Sequence, residues 1–184
     1  MTASMGGKLL VVTALIGAML IMSTGGADAS PETTCKAVAG RDKRVDYAFC
    51  VSQLSAQNGS ADADTWGLAK AAAVAGIEYT GATQGDIEDR LGRSDARKDP
   101  ANGSLGECYN LYHRARQLFG NASTMIKERD YEAAKETIAK VPTLVRDCDG
   151  TFASHALRSP FTKQSAESAQ LAIICTAIID LIDG

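Results

Sequence analysis

The sequence predicts an all-α fold: an up-down-up-down four-helix bundle preceded by an N-terminal helical hairpin and held by two disulfides. Three observations predict it. First, two successive segments carry apolar residues at alternating spacings of three and four. One reads Leu105, Cys108, Tyr112, Ala115, Phe119, Ala122, Ile126, the other Tyr131, Ala134, Ile138, Val141, Val145, Cys148, Phe152. That period places one apolar stripe on each of two helices. Second, the polar turn between them, Lys127 to Asp130, is short, so the two fold back antiparallel. Cys108 and Cys148 then lie on their stripes roughly 20 residues, or about 30 Å, from that turn, at one height. Third, alanine, leucine, isoleucine and charged residues at helical spacing dominate, and little in the chain resembles a strand.

Taken in order, the chain begins with Lys8 and the apolar run Leu9 to Met22, broken only by Thr13 and Gly17. Ala27-Asp28-Ala29 follows with small residues where a signal peptidase reads them, so residues 1–29 are expected to be a signal peptide. The run of about 14 residues is short of the roughly 20 that span a bilayer. Removing 29 of the 184 residues leaves 155, enough for one domain with a real core. That domain spans 30–184, with a hairpin at 30–55 and a bundle at 62–183.

Secretion gives the five cysteines an oxidising compartment, which allows two disulfides and one leftover thiol in fifteen arrangements. Cys35 and Cys50 bracket the polar turn Arg41 to Arg44 between two short helical pieces, and their pairing staples a hairpin. Cys108 and Cys148 pair across the two striped helices. Cys175, in the most apolar helix, is left without a partner and is expected to be buried and unreactive.

A linker rich in Ser, Asn, Gly and Ala, Ser55 to Ala63, precedes a helix capped by Asp62 or Asp64. Its inward positions are Leu68, Ala72, Ala75 and Tyr79. Gly76, Gly81 and Gly85 within it predict a bend or close packing, since each costs about 1 kcal/mol against alanine. Asp99 as cap and Pro100 at the first position predict the next helix start. Asp130 caps the third bundle helix, and Pro142 inside it predicts a kink. Phe152 to Phe161 is a connector. The last helix, about Lys163 to Ile182, is apolar over some two thirds of its circumference, so the others close around it.

Chemistry is sparse. There is no GxSxG, HExxH, CxxC or Gly-rich phosphate loop, so neither a catalytic nor a cofactor or metal site is expected. His113 and His155 are read as solvated. Asp86, Glu88 and Asp89 are read as an exposed helix face beside Arg90 and Arg93. A net charge of −3 and the short basic turn Arg41 to Arg44 argue against nucleic acid and anionic membrane as partners. Three sequons occur: Asn58-Gly-Ser60, Asn102-Gly-Ser104 and Asn121-Ala-Ser123. Asn58 falls in the linker and is the favoured acceptor; Asn102 and Asn121 fall inside a predicted helix. Physics alone reaches a stapled, secreted helical binding module; a monomer is expected.

Particular runs of residues say more. Cys35 with Tyr47-Ala48-Phe49-Cys50, then Glu107-Cys108-Tyr109-Asn110-Leu111-Tyr112, Asp130-Tyr131-Glu132-Ala133-Ala134, Asp147-Cys148-Asp149-Gly150-Thr151-Phe152 and Ser159-Pro160-Phe161-Thr162 follow a familiar order. The whole mature chain resembles the plant invertase/pectin methylesterase inhibitor family. The resemblance implies a four-helix bundle with a helical hairpin, cysteines paired first to second and third to fourth, and a free fifth cysteine of the pectin methylesterase inhibitors at Cys175. It implies a non-enzymatic, extracellular protein that binds a pectin methylesterase, or an acid invertase, one-to-one and blocks its substrate cleft. Cell-wall invertase inhibitors carry Pro-Lys-Phe where this chain has Asp130-Tyr131-Glu132, which favours pectin methylesterase. The inhibitory interface is not carried over by any motif.

Overall fold

The computed structural model describes residues 29–93 and 99–184; the expected signal peptide, save Ala29 itself, lies outside the described residues. The hairpin comes first. α1 (Pro31–Arg41) starts with a capping box in which the Ser30 side chain accepts from Thr33 N while Thr33 answers the Ser30 backbone. α2 (Tyr47–Ser55) starts on Asp46, whose side chain accepts from Phe49 N at 2.9 Å. The Cys35–Cys50 disulfide joins them, with Cα atoms 5.8 Å apart.

A single 3-10 turn (Ser60–Asp62) leads into α3 (Thr65–Arg93). It consumes Asp62, so the cap falls to Asp64, whose Oδ1 accepts from Gly67 N at 2.8 Å. α4 runs Asn102–Glu128. It starts a little later than the sequence predicts: Asp99 Oδ1 accepts from Ala101 N, and Pro100 lies in that turn instead of the first helical position. Arg129 then takes a left-handed conformation with φ 63°, and Asp130 caps the next helix from its side chain.

The predicted kink at Pro142 is a full break. α5 (Tyr131–Ile138) ends, Ala139 and Lys140 form a turn, and α6 (Val141–Ser154) restarts with Pro142 in its first turn. Proline lacks an N–H, and the first turn is where a helix does not need one. α7 (Thr162–Asp183) closes the bundle.

Around the bundle, α3 packs on α4, α4 on α5 and α6, α6 on α7, and α7 on α3. All seven residues of the α4 stripe are buried, as are those of the second stripe except half-buried Tyr131. Burying each large apolar side chain contributes about 1.5–3 kcal/mol. Gly76 is the close-packing glycine: a Cβ there would meet the Phe119 ring at 2.3 Å. α7 is long and apolar enough to cross a membrane, yet it is packed against α1, α3, α5 and α6. A polar layer also lies inside. Thr80 Oγ1 donates to Gly76 O (2.6 Å), Thr83 Oγ1 to Tyr79 O (3.0 Å), and Tyr112 Oη meets Ser165 Oγ at 3.2 Å.

Candidate inhibitory surface

α4 and α6 present their exposed faces as a pair of helices joined by a disulfide. Cys108 and Cys148 are fully buried and bonded, with Cα atoms 4.6 Å apart. Ser104 Oγ donates to Thr151 O at 3.0 Å, and Thr151 Oγ1 donates to Cys148 O at 2.9 Å, bracing the same level. At the other end the short turn and the Asp130 cap fix the entry to α5. The stripes face inward, so the residues between them in sequence face out: Arg114, Gln117 and Asn121 are all exposed.

The break at Ala139–Lys140 opens a groove beside those residues, about 450 Å³ in volume. Arg114, Gln117, Leu118 and Asn121 line one wall, and Ala139, Lys140, Thr143 and Leu144 the other. Two cations and half-covered Leu118 over buried Leu144, with no carboxylate in the lining, make it a place for an apolar or acidic element of another protein. The sequence signal was Pro142, but a kink alone does not predict a groove.

The hairpin is held against the bundle by α7. Gln170 Nε2 donates to Arg44 O at 2.7 Å, and its Oε1 accepts from Asp46 N at 2.9 Å. Beside this contact Tyr47 is the one large hydrophobic among the described residues that stands exposed, at 46%. At the start of α3, Trp66 Nε1 donates to Ile126 O at 2.9 Å, with Lys70 and Arg129 over its ring. Lys135 gathers Glu132 (2.5 Å), Asp183 (3.2 Å) and Asp180 (3.3 Å), tying α5 to the end of α7; its hydrogen bond to Glu132 above all holds its pKa well above the usual lysine range.

The residues weighed for chemistry are dispersed. Asp86, Glu88 and Asp89 are exposed, as is His113, whose Nδ1 lies 3.4 Å from Gln84 Nε2. Besides its chain neighbour Ser154 at 3.2 Å, His155 Nδ1 meets a hydroxyl distant in sequence, which the sequence did not foretell: Ser104 Oγ lies 3.3 Å away. That contact is not a nucleophile with its base. His155 Nδ1 is 2.9 Å from Thr151 O and must carry its proton to bond that carbonyl, so it has no lone pair for Ser104. Ser104 is itself buried and donates to the same carbonyl. Cys175 is buried, donates to Ala69 O at 3.7 Å, and burial pushes its thiol up to about 12. A thiol held protonated in this way is inert.

The three sequons differ sharply. Asn58 is exposed on the turn after α2, next to Gly59 with φ 77°. Asn121 is exposed on the groove wall. Asn102 sits in the first turn of α4 with its Nδ2 buried.

Comparison with known proteins agrees with this architecture. Residues 29–178 match the model of the plant invertase/pectin methylesterase inhibitor family. Pectinesterase inhibitor 8 of Oryza sativa subsp. japonica is 44% identical over 160 residues, covering 86% of each chain. Pectinesterase inhibitor 12 of the same plant is 34% identical over 179 residues, or 96% of this chain and 85% of the relative. A protein of Platanus orientalis named "Putative invertase inhibitor" is 34% identical over 153 residues, 81% of this chain and 87% of its own. On this match, and on the all-helical, twice-stapled bundle that carries it, the chain belongs to the plant invertase/pectin methylesterase inhibitor family.

Proposed function

We propose that this chain is a secreted inhibitor of pectin methylesterase that binds the enzyme one-to-one and covers its substrate cleft with the outer face of α4 and α6. The observation that carries this reading is the 44% identity to a pectinesterase inhibitor over most of both chains. The groove supports the choice of face. A stable interface takes about 800 Å² from each partner and gains most from preorganised surfaces. A disulfide-locked helix pair loses little conformational freedom on docking. The expected leader at 1–29 and the two disulfides fit an extracellular setting.

The invertase reading has support in a relative's name. Against it, the start of α5 is engaged internally: Asp130 caps the helix, and Glu132 holds Lys135. The test is a paired assay. Pure protein in micromolar excess is mixed at mildly acidic pH with a pectin methylesterase, and separately with cell-wall and vacuolar invertases. Loss of methylesterase activity alone is expected. Inhibition of invertase alone would replace the first reading by the second, and inhibition of neither would leave a binding module without an enzyme target.

A further inference from the structure

The three sequons share a tripeptide pattern but not a fate in the folded chain. The oligosaccharide is attached before folding, so the fold decides which modified products can exist. Chemically, Asn Nδ2 bonds to C1 of a sugar carried on a polyprenyl diphosphate. The C1–O bond to the diphosphate breaks, the diphosphate leaves with the electron pair, and Nδ2 gives up one proton. The product needs a free path from Nδ2 to solvent. At Asn102 there is none: Nδ2 is buried, and Ser104 beside it is fully buried against Thr151. Asn58 and Asn121 are both exposed.

Asn121 differs from Asn58 in what surrounds it. It forms part of the groove wall with Arg114, Leu118 and Leu144, on the face proposed above for docking. A glycan is bulky and hydrated. Anchored within a patch of about 800 Å², it would hold a partner off the groove. We infer that Asn121 is an N-glycan acceptor and that its glycan covers the α4–α6 groove, so that the glycoform sets how well this chain seats its enzyme. The gating half of this inference rests on the proposed docking face; the acceptor half does not.

The test secretes the full chain from a eukaryotic host behind an unrelated leader, which keeps it independent of residues 1–29. Glycopeptides are mapped by mass spectrometry, and inhibition of pectin methylesterase is measured for the wild type, S123A and N58Q. S123A removes the acceptor signal and keeps Asn121 in the groove. Occupancy is expected at Asn58 and Asn121 and not at Asn102. The Asn121 glycoform should inhibit at least ten-fold more weakly than S123A, with N58Q matching the wild type. Trimming the wild-type glycan with an endoglycosidase should recover most of that loss. An unoccupied Asn121, or an Asn121 glycoform as potent as S123A, overturns the inference. If S123A folds with an unchanged Tm yet inhibits no pectin methylesterase, the function reading falls and the gating falls with it, while the measured occupancy stands or falls separately.

Discussion

Two glycines on the same helix should respond to alanine with opposite signs. Gly76 and Gly85 both lie inside α3, and each forgoes about 1 kcal/mol of helix propensity relative to alanine. Nothing lies within 4 Å of a Cβ built at Gly85, so G85A should recover about 0.5–1 kcal/mol of stability. At Gly76 the Cβ would come within 2.3 Å of Phe119 ring atoms, while ordinary contact begins at 3.4 Å. Phe119 is fully buried, so the ring or the two helices must move by about 1 Å, and overpacking of that kind costs up to about 3 kcal/mol. Net of the propensity gain, G76A should destabilise by about 2 kcal/mol, or roughly 4–8 °C in Tm. Urea unfolding followed by circular dichroism reads both changes. F119A removes all three ring atoms that the Cβ would meet, so in that background G76A should cost less than about 0.5 kcal/mol, a coupling of about 1–2 kcal/mol. A G76A protein as stable as the wild type, or a cycle with no coupling, would refute the close α3–α4 contact.

Removing the 108–148 bridge by C108S/C148S should cost about 4 kcal/mol and removing 35–50 about 3 kcal/mol, by loop-closure entropy; equal effects in denaturant titrations, or none, would count against the staple. Burial pushes Tyr112 up to about 12, only partly offset by its hydrogen bond with Ser165. The folded state therefore holds a proton that the unfolded chain releases near pH 10. The Tyr112 contribution is full below pH 10 and is lost by about 3 kcal/mol towards pH 12, and because Tyr79 is also raised, by its burial and its bond to Glu167, Y112F should reduce but not abolish the alkaline loss in denaturant midpoints measured across this range. D130A should destabilise by about 1 kcal/mol through loss of the α5 cap, read as a Tm shift. R114E on the groove wall should weaken inhibition of pectin methylesterase at least ten-fold while leaving Tm within a degree or two; unchanged potency would move the docking face elsewhere.

Much of the fold was legible because its signal is local. The α4 stripe reads off the sequence residue for residue, since a 3.6-residue period and an apolar core leave one way to turn that helix. The long apolar surface of α7 likewise announced its central place. Where neighbours compete, the sequence was less decisive. Asp62 and Asp64 are equivalent as capping residues, and only the 3-10 turn that absorbs Asp62 chooses between them. Pro142 predicts a disturbed helix; whether the chain bends or stops depends on whether α6 can restart against α4 and α7. The polar layer at Thr80, Thr83 and Ser165 breaks the apolar pattern and gave no sign in advance. Its hydroxyls are satisfied by backbone carbonyls one turn back or by a partner across the bundle.

By itself the sequence determined the helices, the stripes, the staple positions and the family, because periodicity, cysteine placement and motif order survive without coordinates. Only the tertiary structure decided what each exposed residue has beside it. Gly76 became a contact site because Phe119 arrives from another helix. Asn102 and Asn121, alike as tripeptides, parted because one has its Nδ2 buried at the start of α4 and the other stands on a groove. A surface is assembled from residues far apart in the chain, and an inhibitor acts through its surface.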